Sequence, residues 1–154
     1  MRIYVASSWK NEIGAKELAA LLRGWGFEVY CFAERGEGQH VFKWSDVASS
    51  QDDGISALNT YDSIRAFAVD KRYLDWANCC VLLNPCGRDA HLEAGYVKGR
   101  GGLLYIVGDF PRGEFSNMYH LADGMFRLSE LRSGYVRSVL LRNEHCHCGG
   151  NILE

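Results

Sequence analysis

The sequence predicts one α/β domain of the flavodoxin-like, Rossmann-like class, with about five parallel strands in a single sheet flanked by helices. Three observations predict it. Short apolar runs recur at residues 2–6, 27–32, 79–84, 103–107 and 125–128. Stretches of helical period separate them. The first strand, helix and strand together fill about thirty residues, the size of a β-α-β unit, and such units join parallel strands.

Each element follows in order. Residues 2–6 read as a short apolar strand, followed by the polar pair Ser7-Ser8. Ala15, Leu18, Leu22 and Trp25 then share one helical face, and Gly26 supplies the stop. Residues 27–32 form the second strand. The turn-rich stretch 33–57 holds Phe42 and Trp44 in polar surroundings, and so long a loop in a small domain is usually functional. Residues 58–76 read as helix, with a break allowed. Residues 79–84 are the clearest buried strand. Asp89 is placed to cap a helix through Ala90, Ala94 and Val97 that ends at Gly99 or Gly101. A fourth strand at 103–107, a short helix near 118–122, a fifth strand at 125–128 and a closing helix at 129–142 complete the domain. Residues 143–154 are expected to be a loose tail.

The bulk numbers narrow the function. With 154 residues the chain can bury a core. A net charge of −2 gives no basic surface for a nucleic-acid polymer or an anionic membrane. No apolar run approaches a membrane span, and no leader pattern precedes the first strand, so a cytoplasmic location is expected. Cys31, Cys79 and Cys80 lie in strand-like runs and read as small hydrophobes of a reduced chain. No cofactor is expected, because the glycines form neither a Walker pattern nor a dinucleotide fingerprint. His145, Cys146, His147 and Cys148 alternate like metal ligands, but a structural zinc site needs a second pair, and no metal is expected.

In a doubly wound sheet ligands bind beyond the carboxyl ends of the strands, which selects residues 6–11, 84–93 and 108–117. Glu93 is expected near the start of a helix at that edge, where the helix N-terminus favours an ionised carboxylate. A carboxylate is a competent nucleophile toward an electron-poor sugar carbon. Asp70 lies 23 residues earlier in a helix before the central strand.

Four stretches carry a resemblance: Ile3-Tyr4-Val5-Ala6-Ser7-Ser8-Trp9, Asp70 through Asn78, Gly87-Arg88-Asp89-Ala90-His91-Leu92-Glu93-Ala94-Gly95-Tyr96, and Asn117-Met118-Tyr119. In order and spacing they resemble the nucleoside 2-deoxyribosyltransferase family and its nucleotide N-glycosidase relatives. The resemblance implies cleavage of the N-glycosidic bond of a nucleoside or nucleoside 5′-monophosphate, by base exchange or hydrolysis. It implies Glu93 as nucleophile, Asp70 positioning the sugar and handling the proton at the departing base, and Tyr4 orienting Glu93. It also implies Asn117 reaching the sugar, with the site built across a homodimer or larger homo-oligomer. Ser7, Trp9, Gly87, Asp89 and Met118 fall on the substrate-binding positions. The chain departs from the pattern at Arg88 and His91, where His91 is a candidate to assist catalysis or bind a phosphate of the substrate, and it lacks paired glycines after Ser7. Arg88, beside a helix N-terminus, can still hold a phosphate. Trp44 is a candidate for stacking on a base. Two other readings compete. A TIR-like domain that cleaves NAD shares the topology and a single glutamate, but has no counterpart of the Asp70–Glu93 pair. A nucleotide sensor on the same fold would use Glu93 only as a ribose-hydroxyl acceptor.

Overall fold

A computed structural model describes residues 1–35, 54–110 and 116–148. Strands β1 (Arg2–Ala6), β2 (Glu28–Cys31), β3 (Cys79–Leu83), β4 (Leu103–Val107) and β5 (Gly124–Phe126) form one parallel sheet, ordered β2-β1-β3-β4-β5. The order reverses between β1 and β3, where such a sheet opens a crevice beyond its carboxyl edge. Every residue of β3 and β4 is buried, which is why these strands read as unbroken apolar runs rather than alternations.

The described helices are α1 (Glu12–Gly24), α2 (Gly54–Leu58), α3 (Tyr61–Trp76), α4 (Arg88–Gly99) and α5 (Gly134–Cys148). Leu18 and Leu22 of α1 and Val136 and Leu140 of α5 meet Val81, Tyr105, Val107 and Phe126 on one face of the sheet. α3 and α4 pack against the sheet and against each other. On their outer surface Asp75 of α3 receives the Tyr96 hydroxyl at 2.6 Å and the Lys71 ammonium at 2.6 Å. Arg100, just past α4, donates to the carbonyls of Leu74 at 2.8 Å and Asp75 at 3.1 Å, the last turn of α3. No helix among the described residues is long and apolar enough to cross a membrane.

Most elements stand where the sequence puts them, with shifts that have local causes. The break in the 58–76 helix falls at Asn59-Thr60, and the Thr60 hydroxyl caps α3 by accepting from Ser63 N–H at 3.3 Å. Phe32 leaves β2 for the 3-10 turn Phe32–Glu34. α4 starts at Arg88 with Gly87 as its N-cap, so Asp89 is not the cap but a first-turn residue. The short helix near 118–122 is the 3-10 segment Asn117–Leu121. The closing segment is not one helix over 129–142. It divides into a 3-10 turn, Leu128–Arg132, and α5, because the Ser133 N–H donates to Glu130 O at 3.0 Å and closes the first piece. α5 then runs to Cys148, through residues expected in the tail, and Asn143 donates to the Tyr105 hydroxyl at 2.6 Å. Trp44 and Phe42, and the side chains of His145, Cys146, His147 and Cys148, lie outside the described residues.

Gly108 joins the end of β4 to the ligand edge. Its φ is +135°, and a Cβ there would lie 2.7 Å from the carbonyl oxygen of Asn84. Both the backbone conformation and the contact exclude a side chain. Gly108→Ala should therefore lower stability by ~2 kcal/mol or more, measured by urea unfolding, whereas Gly99→Ala, with open space around it, should change stability by less than ~1 kcal/mol.

Candidate active site

Three strands bring one row of side chains together. Tyr4 of β1 is in register with Tyr30 of β2 on one side and Cys80 of β3 on the other. Alternation along a strand sends these three to the same face. Glu93 of α4 and Asp70 of α3 reach that row: the Tyr4 hydroxyl donates to Glu93 Oε1 at 2.7 Å and approaches Asp70 Oδ1 at 3.4 Å. Glu93, Asp70 and Tyr4, drawn from sequence positions far apart, thus form one cluster beside the strand-order reversal.

Glu93 stands in the second turn of α4, beyond the reach of the helix N-terminus that was expected to hold it ionised. Burial decides its protonation instead, raising its carboxyl from 4.5 to about 8. The donor bond from Tyr4 works against the rise, the charges of Asp70 and Asp89 add to it, and Arg35 opposes it. Burial, followed by Glu93 and Asp70, pushes the Tyr4 phenol well above its ordinary value, so Tyr4 remains a hydrogen donor.

Asp70 has its own partners, and the sequence did not reveal them. The Tyr30 hydroxyl donates to Asp70 Oδ1 at 3.2 Å, Arg35 Nη2 forms an ion pair with the same oxygen, and Arg35 Nε donates to the Tyr30 oxygen at 2.9 Å. The Tyr30 ring is held by Tyr73 of α3, stacked at 3.7 Å between centroids. Two signals pointed here. Tyr30 is near the carboxyl end of a strand, and Arg35 follows that strand by four residues, in the turn after β2.

The β3–α4 loop makes a second group. Cys86 donates its thiol hydrogen to Asn84 Oδ1 at 3.0 Å, and burial raises it to about 11, so it is a neutral thiol and not a nucleophile. His91 Nδ1 lies 2.9 Å from the Gly87 carbonyl, which can only accept. That places the proton on Nδ1 and leaves Nε2 to accept from the Tyr119 hydroxyl at 3.1 Å. A cavity of about 400 Å³ opens between Asn84, Cys86, His91, Phe110, Ser116 and Tyr119, a volume within the range of small-molecule sites.

The remaining predicted residues take varied places. The Ser7 hydroxyl donates to Leu83 O at 2.9 Å and ties the β1 loop to the end of β3. Trp9 is half-buried and stands edge-on to Phe32. Arg88 and Asp89 are exposed at the start of α4. Asn117 and Met118 are exposed, and their 3-10 segment meets α4 through Tyr119 and His91. No group of residues suited to holding a metal ion occurs among the described residues.

No family model and no curated protein matches the chain. Among solved structures it is similar to the 2-deoxyribosyltransferase of the psychrotolerant bacterium Bacillus psychrosaccharolyticus, with 17% identity over 82% of this chain and 85% of that one and a TM-score of 0.59. It also matches the CMP N-glycosidase BcmB of Clostridium botulinum, with 10% identity over 93% and 99% of the two chains and a TM-score of 0.47. The first likeness establishes the fold.

The Glu93 environment has a measurable consequence. Glu93 binds its proton more tightly in the folded chain than in the unfolded one, so its contribution to stability is complete below about pH 4.5 and is lost as pH rises through about 8. Glu93→Gln removes that loss. Relative to wild type, the variant should gain roughly 3 kcal/mol between pH 5 and pH 8.5, allowing for partial solvent exposure. Denaturant melts at the two pH values measure it, and a difference that stays constant would show that the carboxyl titrates like an exposed glutamate.

Proposed function

We propose that the chain cleaves the N-glycosidic bond of a nucleoside or nucleoside 5′-monophosphate, with Glu93 as the nucleophile. The observation that carries this reading is the pair of carboxylates on one phenol at the ligand edge. Their distances of 2.7 and 3.4 Å from the Tyr4 hydroxyl bound the separation of the two oxygens at about 6 Å. A pair that close matches the ~5 Å spacing of retaining glycosidases better than the wider spacing of inverting ones, which must fit a water between them. The shared fold with a 2-deoxyribosyltransferase supports the same chemistry.

In this reading a lone pair of ionised Glu93 forms a bond to the anomeric carbon as the C–N bond breaks. The electron pair of that bond leaves with the base, which takes a proton from solvent. Asp70 is already the counter-ion of Arg35, so it accepts a sugar hydroxyl rather than bringing that proton. Tyr4 orients Glu93 and stabilises its charge. Water or a second base then attacks the same carbon and releases Glu93. The 400 Å³ cavity and the exposed Arg88 are the groups available to the rest of the substrate. The family resemblance adds a homo-oligomer in which Asn117 serves a neighbouring copy, so light scattering should give a mass at least twice the 17.3 kDa of one chain.

The test incubates wild type and Glu93→Gln with nucleosides, 2′-deoxynucleosides, their 5′-monophosphates and NAD, with and without an acceptor base. Released base is measured by chromatography. Glu93→Gln should lose about a thousandfold in rate or more, and wild-type kcat/KM should rise with pH to a midpoint near 8, because the attacking form is the ionised carboxylate. No release from any nucleoside or nucleotide, or equal release by the variant, would sink the reading. Nicotinamide release from NAD alone would favour a TIR-like enzyme.

A further inference from the structure

Among the described residues, six groups act electrostatically on Glu93 or feel its charge: Tyr4 from β1, Cys80 from β3, Cys86 from the β3–α4 loop, Asp70 from α3, Asp89 from α4 itself and Arg35 from beyond β2. Two of them, Asp70 and Asp89, carry negative charge, and Arg35 is the cation of the set. The Arg35 side chain is only 3% exposed. A guanidinium does not give up its proton, so a buried one must be paired. Among the described residues, its Nε donates to the Tyr30 oxygen at 2.9 Å and its Nη2 pairs with Asp70 Oδ1. Tyr30 in turn gives its own proton to that Asp70 oxygen at 3.2 Å. Arginine, phenol and carboxylate therefore close a three-membered ring of contacts, each fixing the other two.

We propose that Arg35 is a positioning residue of this site: bridging the Tyr30 hydroxyl and the Asp70 carboxylate, it fixes where Asp70 points and balances its charge, so that Glu93 can ionise beside it. The constraint is electrostatic. Two carboxylates no more than about 6 Å apart resist being charged together, and the nucleophilic step needs Glu93 charged. Arg35 supplies the compensating charge at Asp70 Oδ1, the same oxygen that the Tyr4 hydroxyl approaches. A lysine can supply the charge but not the fork that joins Tyr30 to Asp70.

This inference deepens the proposed reaction, but its first test does not depend on activity. Protein labelled with carboxyl-13C glutamate gives one resonance that disappears in Glu93→Gln, and that resonance is followed through a pH titration. In wild type its midpoint should fall near 8. In Arg35→Gln, which keeps an amide able to donate to Asp70, the midpoint should rise by about one pH unit, and Arg35→Lys should bring most of that back. Tyr30→Phe removes the oxygen that receives Arg35 Nε together with the hydrogen bond Tyr30 gives to Asp70, keeps the arginine's charge, and should raise the midpoint by a smaller step. It serves as the reading if Arg35→Gln does not fold. An unmoved midpoint in folded Arg35→Gln, or in Tyr30→Phe where the first is unfolded, overturns the proposal, as does a lysine that restores nothing. In the activity arm the acid limb of kcat/KM should move with the NMR midpoint. Wild type that titrates as expected but releases no base would overturn the glycosidic reading and leave the role of Arg35 standing.

Discussion

The Tyr4 hydroxyl has one proton and two carboxylates within reach, Glu93 at 2.7 Å and Asp70 at 3.4 Å. Geometry awards that proton to Glu93, since hydrogen bonds weaken steeply beyond about 3.2 Å. Tyr4 cannot move to suit its partners. It is fully buried in the middle of β1, paired on both sides by β2 and β3. The helices must therefore come to it, and α3 and α4 are packed so that one carboxylate from each ends at the same oxygen. At an effective dielectric of about 20, two charges no more than roughly 6 Å apart repel by about 3 kcal/mol or more. That is a large fraction of a small domain's stability, and the polar environment of the cluster is arranged around it.

The environment divides the two carboxylates. Glu93 sits in the low-dielectric pocket and is pushed toward its neutral form. Asp70 is given the arginine and the second phenol. Splitting a pair of like groups by unlike surroundings is how one site obtains an acceptor and a proton-exchanging group from the same chemistry. The arrangement also explains the aromatic row Tyr4, Tyr30 and Tyr73, whose successive ring contacts span from the sheet to α3. Their rings fill the volume around the charges, and the hydroxyls of Tyr4 and Tyr30 satisfy them.

The sheet was legible because β1, β3 and β4 are short, apolar and bounded by turn residues, and Arg2–Ala6 and Leu103–Val107 have the limits their composition suggests. Glu93, Asp70 and Tyr4 were legible together through family resemblance, not through periodicity. Arg35 and Tyr30 were not legible, because a tyrosine in an apolar run and an arginine in a turn-rich stretch have ordinary structural explanations. Only the register of β1 with β2 puts Tyr30 beside Tyr4. Asp89 failed as a cap because the glycine two residues earlier already takes the extended conformation at that position. The protonation of Glu93 departs from the sequence expectation for a related reason: with Gly87 as the cap it lies two residues deeper, in the second turn, where burial outweighs the helix dipole.

Outside the site, Arg100 and Asp75 splint α3 to α4 across their exposed surface, through side-chain bonds and the last carbonyls of α3. This splint sits on the two helices that carry the carboxylates, and its bonds among the described residues run between those helices. The separation of the two carboxylates and the shape of the cavity at the strand ends are thus held by separate parts of the chain. Substitutions in the loops after β1, β3 and β4 can reshape that cavity while the spacing of the carboxylates is inherited intact. Such a division lets a surface opening drift over generations without the buried cluster beneath the sheet edge having to be rebuilt each time.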